Sequence, residues 1–279
     1  MQYFFTIFLK KFFGRKFYAA YGKNRYGDRV CKGKNGIRCE SYELYGEKIT
    51  EIIVSEKETA LFNRPCGRYF TVDSTDVPYA DGQIHALCAV LNKLLPEGKC
   101  LVTGLGNPSV ASDSLGWRTA GRVLATSHFI EKMHNADGIG NVSVIRTDVS
   151  ANSGIDSVCH AIFCAEKIKA DYIVAIDSLA CSEPEHLCRS IQVTDTGITP
   201  GSTAGNRNRL DSAAAGIPVI AVGVPTTMEY ESDNDRFFVT RYDIDVEISR
   251  YAHIISCALN RSLCPSLSYS DISMLMNYS

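Results

Sequence analysis

The feature that most limits how this chain can fold is an order that repeats from Lys99 onward: a short apolar run, a turn bearing Gly or Asp, then an amphipathic stretch. The runs are Cys100–Leu105, Val142–Ile145, Asp171–Ile176 and Ile217–Val222, and they are continuous rather than alternating. A strand that is apolar on both sides must have both faces covered, which is the situation of a parallel sheet between two helical layers. The stretches in between predict helices from about Asp113 to Ile130, from Gly154 to Ala170 and around Glu183–Ser190, with a last one over Val246–Leu259. Upstream, residues 46–56 and 67–74 read as paired strands, and 83–95 as a helix stopped by Pro96-Glu97-Gly98. The expected class is α/β, a mostly parallel sheet flanked by helices, in one domain over residues 39–279.

Charge divides the chain. Residues 1–38 carry ten Lys and Arg against the single acid Asp28, a net +9, and with the whole chain at −2 the remainder stands at −11. This reads as a basic, aromatic-rich leader or pro-segment attached to an acidic body, and it argues against direct nucleic-acid binding by the body. The apolar run Tyr3–Leu9 is too short to span a bilayer, and Lys10 and Lys11 follow it where a secretory signal has its basic residues first, so no membrane association is expected. The 11 cysteines sit mostly in apolar runs, with no CxxC pair, and read as buried thiols of a cytoplasmic protein.

Ligands in open α/β sheets bind beyond the carboxyl ends of the strands, where loops converge and helix N-termini point into the crevice. Three such positions hold unusual residues. The run ending at Leu105 leads into Gly106-Asn107-Pro108 and on to Ser112-Asp113-Ser114; the run ending at Ile176 leads into Asp177; and Ile191-Gln192-Val193 leads into Thr194-Asp195-Thr196-Gly197, followed by Gly201-Ser202. Either Ser112 or Asp113 also suits a helix N-cap. Asp177 follows an apolar strand, which desolvates its carboxylate. If Asp113 and Asp177 face each other, they cannot both ionise cheaply. One then keeps a proton while the other takes one from water, the acid and base division that amide hydrolysis needs. Asp195, Gly197, Gly201, Ser202 and Asn107 are expected in supporting or substrate-binding roles. No metal or other cofactor is expected: His128, His134 and His160 have no zinc-ligand spacing, and no phosphate-binding glycine motif occurs. No Ser stands in G-x-S-x-G, so nucleophilic catalysis has no support.

Taken together, Arg64-Pro65-Cys66-Gly67-Arg68-Tyr69, Gly104-Leu105-Gly106-Asn107, Ser112-Asp113-Ser114-Leu115-Gly116, Ala175-Ile176-Asp177-Ser178-Leu179-Ala180, Asp195-Thr196-Gly197-Ile198 and Gly216-Ile217-Pro218-Val219 resemble the germination protease family of endospore-forming bacteria over roughly residues 37–275. The resemblance implies a phosphorylase/hydrolase-like fold related to hydrogenase maturation proteases. It also implies an atypical aspartic endopeptidase, made as a tetrameric zymogen in the forespore, that degrades small acid-soluble spore proteins during germination. Its two catalytic aspartates match Asp113 and Asp177, and its pro-segment end falls near Arg38-Cys39-Glu40-Ser41. Two stretches depart from the family pattern: Trp117 stands where Pro is usual, and Asp148-Val149-Ser150-Ala151-Asn152-Ser153-Gly154-Ile155-Asp156 replaces a Pro-Gly-Val-x-Gly-Gln-Thr-Gly-Ile-Glu stretch. Gly104-Leu105-Gly106-Asn107-Pro108-Ser109 is also similar to the signature of peptidyl-tRNA hydrolase, which needs a histidine shortly downstream, yet none occurs there before His128. A non-catalytic binding protein that kept the fold is the third expectation weighed.

Overall fold

The computed structural model describes residues 29–32, 38–57, 59, 64–73, 81–130, 132, 137–201, 208–231 and 236–278. Residues 1–28 of the basic leader, and Ser202, lie outside the described residues. The strands are β1 (Arg29–Lys32), β2 (Arg38–Leu44), β3 (Glu47–Val54), β4 (Gly67–Asp73), β5 (Cys100–Gly104), β6 (Val142–Arg146), β7 (Tyr172–Cys181), β8 (Ser190–Thr194), β9 (Val219–Glu231) and β10 (Arg236–Val239). All belong to one sheet, in the order β1-β2-β3-β4-β8-β9-β7-β5-β6, with β10 paired to β9.

The α/β class holds, with helices on both faces of a mixed sheet. Its parallel part is β6-β5-β7-β9, and the pairs from β9 through β8 and β4 to β1 are antiparallel. Burial follows that division. Every residue of β5 is buried, as are the first six of β7, whereas β2, β3 and β4 mix buried with partly exposed positions. Parallel strands enclosed on both sides need apolar residues throughout, while antiparallel ribbons tolerate a wetter face. The end of the basic segment, Arg29–Lys32, is the edge strand of this ribbon.

Side chains alternate across the parallel strands, so two cores form. Val102, Val174, Ile176, Ile220 and Val222 face the helices Asp81–Asn92 and Ile244–Leu263, which contribute Leu87, Leu91, Ile248, Tyr251, Ile255 and Leu259. Leu101, Ile173, Ala175, Val219 and Ala221 face the helix Ser157–Ile168, through Val158, Ala161 and Ala165. Inside the first core the Tyr251 hydroxyl donates to the Cys188 carbonyl at 2.8 Å, which satisfies a buried polar group.

Several expected boundaries are corrected. The stretch Asp113–Ile130 is not one helix but a 3₁₀ turn, Ala111–Asp113, and two short helices, Leu115–Ala120 and Ser127–Ile130. Around Glu183–Ser190 only the 3₁₀ turn Pro184–His186 forms before β8 begins. β7 and β9 run well past their apolar runs, and a helix at Tyr269–Tyr278 follows the long one. The cysteines from Cys39 to Cys264 are free thiols. Among the described residues no helix is long and apolar enough to cross a membrane.

Candidate active site

The carboxyl end of β5 lies beside the middle of β7, with Gly104 level with Ile176 and the Leu105 amide still bonded to the Ile176 carbonyl at 2.8 Å. One residue further along β7 is Asp177. It is 5% exposed, and its Oδ1 accepts a 2.8 Å hydrogen bond from the Ser178 amide. Two residues beyond it the β7–β9 pairing slips between Leu179 and Ala180, the kind of irregularity that re-aims side chains beside functional sites.

Asp113 reaches the same place by a tight path. The chain leaves β5, turns at Gly106 with φ of 107°, and closes the 3₁₀ turn with the Asp113 amide on the Val110 carbonyl at 2.9 Å. Thr226 of β9 fixes this turn by donating its hydroxyl to the Ser112 carbonyl at 2.6 Å. Asp113 is not a helix cap, nor is Ser112. Ser114 occupies the cap position of Leu115–Ala120 without a side-chain cap bond, and Asp113 Oδ2 instead accepts from the Asn107 amide at 2.8 Å.

The glycines around the two acids are explained by contact. A Cβ on Gly116 would lie 2.1 Å from the Ile176 carbonyl oxygen and 2.5 Å from that of Leu105, and one on Gly104 would lie 2.1 Å from the Gly116 carbonyl oxygen. The helix after Asp113 therefore rests directly on the backbone beside Ile176 of β7, and this keeps Asp113 near enough to Asp177 for its charge to act there.

The electrostatics follow from this placement. Burial pushes the Asp177 carboxyl well above the usual carboxylate range, and the charge of Asp113 pushes it further, against the Ser178 amide. Asp113 is also raised by burial, opposed by the Asn107 amide and reinforced by the charge of Asp148. Asp177 is the deeper of the two and keeps its proton more firmly. Such a pair shares one proton and can accept from water while donating to a substrate.

The other candidate residues fall in different places. Asn107 adjoins Asp113 through its backbone. Asp195 lies at the end of β8, which β9 separates from β7, and there its Oδ1 accepts from the Arg68 amide at 2.7 Å. A Cβ on Gly67 would come within 2.5 Å of that Oδ1, so the glycine of the Arg64–Tyr69 motif makes room for Asp195. Gly197 and Gly201 have positive φ, 76° and 64°, in a loop closed by reciprocal Ile198–Leu210 backbone bonds of 2.9 and 2.8 Å. Asn208 ties that loop to Asp156 at 3.1 Å. The sequence reading gave no role to Asp148 and Asn152, although Asp148 follows the β6 run much as Asp177 follows that of β7.

His128 lies on the helix Ser127–Ile130 with its ring 3.9 Å from that of Phe129. Among the described residues, Glu183, Glu185 and His186 bring their donor atoms within 4.8 Å of one another, on the β7–β8 connection, with His186 Nε2 3.4 Å from Glu183 Oε2.

A family model for the germination protease matches residues 19–234. The chain belongs to the germination protease family. It is 37% identical over 194 residues to the germination protease of Clostridium perfringens strain SM101, covering 65% of this chain and 60% of that one. To that of Priestia megaterium it is 33% identical over 208 residues, covering 70% and 56%. To that of Clostridium tetani it is 28% identical over 299 residues, covering 87% and 93%. The chain thus spans about three fifths of the Clostridium perfringens relative's length. Among solved structures, a NiFe hydrogenase maturation protease from Thermococcus kodakarensis superposes with a TM-score of 0.37 at 14% identity, covering 61% of this chain and 98% of that one. All the family motifs quoted above begin within the matched residues, and both Asp113 and Asp177 lie inside them.

Proposed function

We propose that this chain is an aspartate-dependent endopeptidase that cleaves small acid-soluble spore proteins when a spore germinates, with Asp113 and Asp177 as its paired carboxylates. The observation that carries the reading is the placement of Asp177. A carboxyl 5% exposed in a buried strand, with one backbone amide for a partner and a second acid acting on it, is costly unless chemistry uses it. Membership in the family supports the peptidase activity, and the substrate class is proposed from the resemblance of the motifs.

In this mechanism Asp113, nearer solvent, is the ionised base. It takes a proton from a water molecule, which attacks the scissile carbonyl carbon. Asp177 holds the other proton and donates it to the carbonyl oxygen as the tetrahedral intermediate forms. The proton on Asp113 then passes to the departing amine as the C–N bond breaks, and Asp177 regains its proton from the collapsing hydroxyl. The two acids return to their starting states, and one water is consumed.

The same reading makes residues 1–38 a leader removed by cleavage near Glu40. Glu40 lies within β2, opposite Val30 and Glu51, so processing there requires β2 to leave the sheet. Mass spectrometry of fully active enzyme with an intact leader rejects this step. The forespore location and the tetramer are proposals on the same footing.

The test of the main reading is cleavage of a purified spore protein by the full chain and by Asp113→Asn and Asp177→Asn, each checked for folding by circular dichroism. Both variants are expected to lose cleavage by a factor of 10³ or more, roughly what removal of an essential acid or base costs. Near-normal turnover in either folded variant removes that residue from the mechanism.

A further inference from the structure

The elbow after β6 carries a carboxylate that the two-acid scheme does not use. Asp148 lies two residues past the end of β6, half-buried. Its Oδ1 accepts from the Val149 amide at 2.7 Å and from Asn152 Nδ2 at 3.0 Å. The same Asn152 nitrogen donates to Asn107 Oδ1 at 3.2 Å, which also accepts from the Ser109 amide at 2.9 Å. The Asn107 amide in turn holds Asp113 Oδ2 at 2.8 Å. A chain of hydrogen bonds therefore runs from Asp148 through Asn152 and Asn107 to Asp113, joining two elbows that are 45 residues apart at the Asn107–Asn152 contact.

We propose that Asp148, strapped to the first elbow by Asn152, is a positioning residue of the dyad that sets the lower pH limit of its activity; the inference rests on the peptidase reading above. Local geometry asks only for an acceptor at this position, and an asparagine carbonyl would take both bonds that Oδ1 receives. What the carboxylate adds is a negative charge beside an acid that must ionise. Like charge disfavours the ionised form, and the charge of Asp148 reinforces the rise that burial causes at Asp113. Arg146 lies 4.3 Å over the Trp117 ring and Arg118 pairs with Asp245 at 3.0 Å, and neither guanidinium is among the influences on Asp113. Asp148 is thus the acid whose charge bears on Asp113, and the acid acting on Asp177 is Asp113. The consequence is asymmetric. Asp148 governs the acidic limb of the pH profile, where Asp113 loses its proton, and leaves the alkaline limb, where Asp177 loses its own, in place.

The decisive variant is Asp148→Asn, which keeps the acceptor and the size and removes the charge. In the full chain acting on a purified small acid-soluble spore protein, the acidic limb of kcat/KM is expected to move down by about half to one pH unit, the range for a partly screened like charge. The alkaline limb stays where it was. Asn152→Leu, which cuts the strap, is expected to lower kcat/KM, with part of the loss restored by Asn152→Gln. An acidic limb that does not move in Asp148→Asn, or two limbs that move together, overturns the proposal. Carbon-13 titration of the Asp113 carboxyl in the uncleaved chain gives a readout without turnover: its midpoint falls in Asp148→Asn, and an unchanged midpoint also overturns the proposal. A wild-type chain with no peptidase activity defeats the functional reading instead, and the titration still decides the link between Asp148 and Asp113.

Discussion

Gly116→Ala tests the claim that the candidate site is built by backbone resting on backbone. The added methyl would lie 2.1 Å from the Ile176 carbonyl oxygen, 2.5 Å from the Leu105 oxygen and 2.6 Å from the Leu105 nitrogen. All three are main-chain atoms, of β7 and of the residue that follows β5, so no side chain can swing aside. Ordinary contact requires the helix Leu115–Ala120 to lift by roughly 1 Å, which breaks the packing of Leu115, fully buried in the first core. Alanine returns at most about 1 kcal/mol through helix propensity. Overpacking against a main chain that cannot yield costs about 3 kcal/mol or more, so the net loss is about 2 kcal/mol. Asp113 sits three residues before Gly116 and moves with the helix, and a shift of about 1 Å at a reacting group lowers turnover by about 10². The assay pairs urea unfolding at neutral pH with cleavage of a spore protein by the folded fraction. A variant with the wild-type urea midpoint and wild-type turnover would falsify the close-packing argument, and Gly104→Ala should repeat the result, since its Cβ meets the Gly116 carbonyl oxygen.

Asp177→Asn is expected to stabilise the fold while abolishing cleavage. The folded carboxyl keeps a proton that the unfolded chain releases, so wild-type stability falls as pH rises from the unfolded value, about 3.9, through the folded one. The asparagine carbonyl still accepts from the Ser178 amide. Urea melts should therefore agree near pH 3 and diverge in favour of the variant near pH 7, by about 1.4 kcal/mol for each unit of elevation; a variant less stable at pH 7 contradicts the burial of a proton there. Asn260→Ala removes two bonds at once, since Asn260 Oδ1 accepts from the Leu124 amide at 2.9 Å and Nδ2 donates to the Arg122 carbonyl at 3.0 Å. With Asn260 1% exposed, this should cost roughly 2–4 kcal/mol, read as a lower midpoint in thermal or urea unfolding, and a loss below about 1 kcal/mol would show that water replaces the amide.

The candidate dyad was legible in the sequence for a local reason. Asp177 directly follows a run of apolar residues that only a covered strand accommodates, and Asp113 stands in the elbow after the neighbouring run. Asp195 was equally conspicuous, but its strand pairs antiparallel with β9 and ends away from Asp177, and its carboxylate serves the β4 backbone. Direction of pairing is not written in an apolar run, so the two kinds of strand end looked alike. The helix expected over Asp113–Ile130 failed for a related reason: helical spacing persisted while the backbone had to break twice to seat Gly116 on β7.

By itself the sequence determined that a covered sheet forms, which runs are its interior strands, and that two acids follow neighbouring runs, because burial and periodicity are properties of neighbouring residues. The tertiary structure alone decided that the sheet is mixed, that Asp113 bonds to Asn107 rather than capping a helix, that Gly104 and Gly116 are contact points, and that Asn152 joins Asp148 to the first elbow. Each of these depends on atoms distant along the chain whose separation is set by how strands and helices pack, and that separation has no signature in local order.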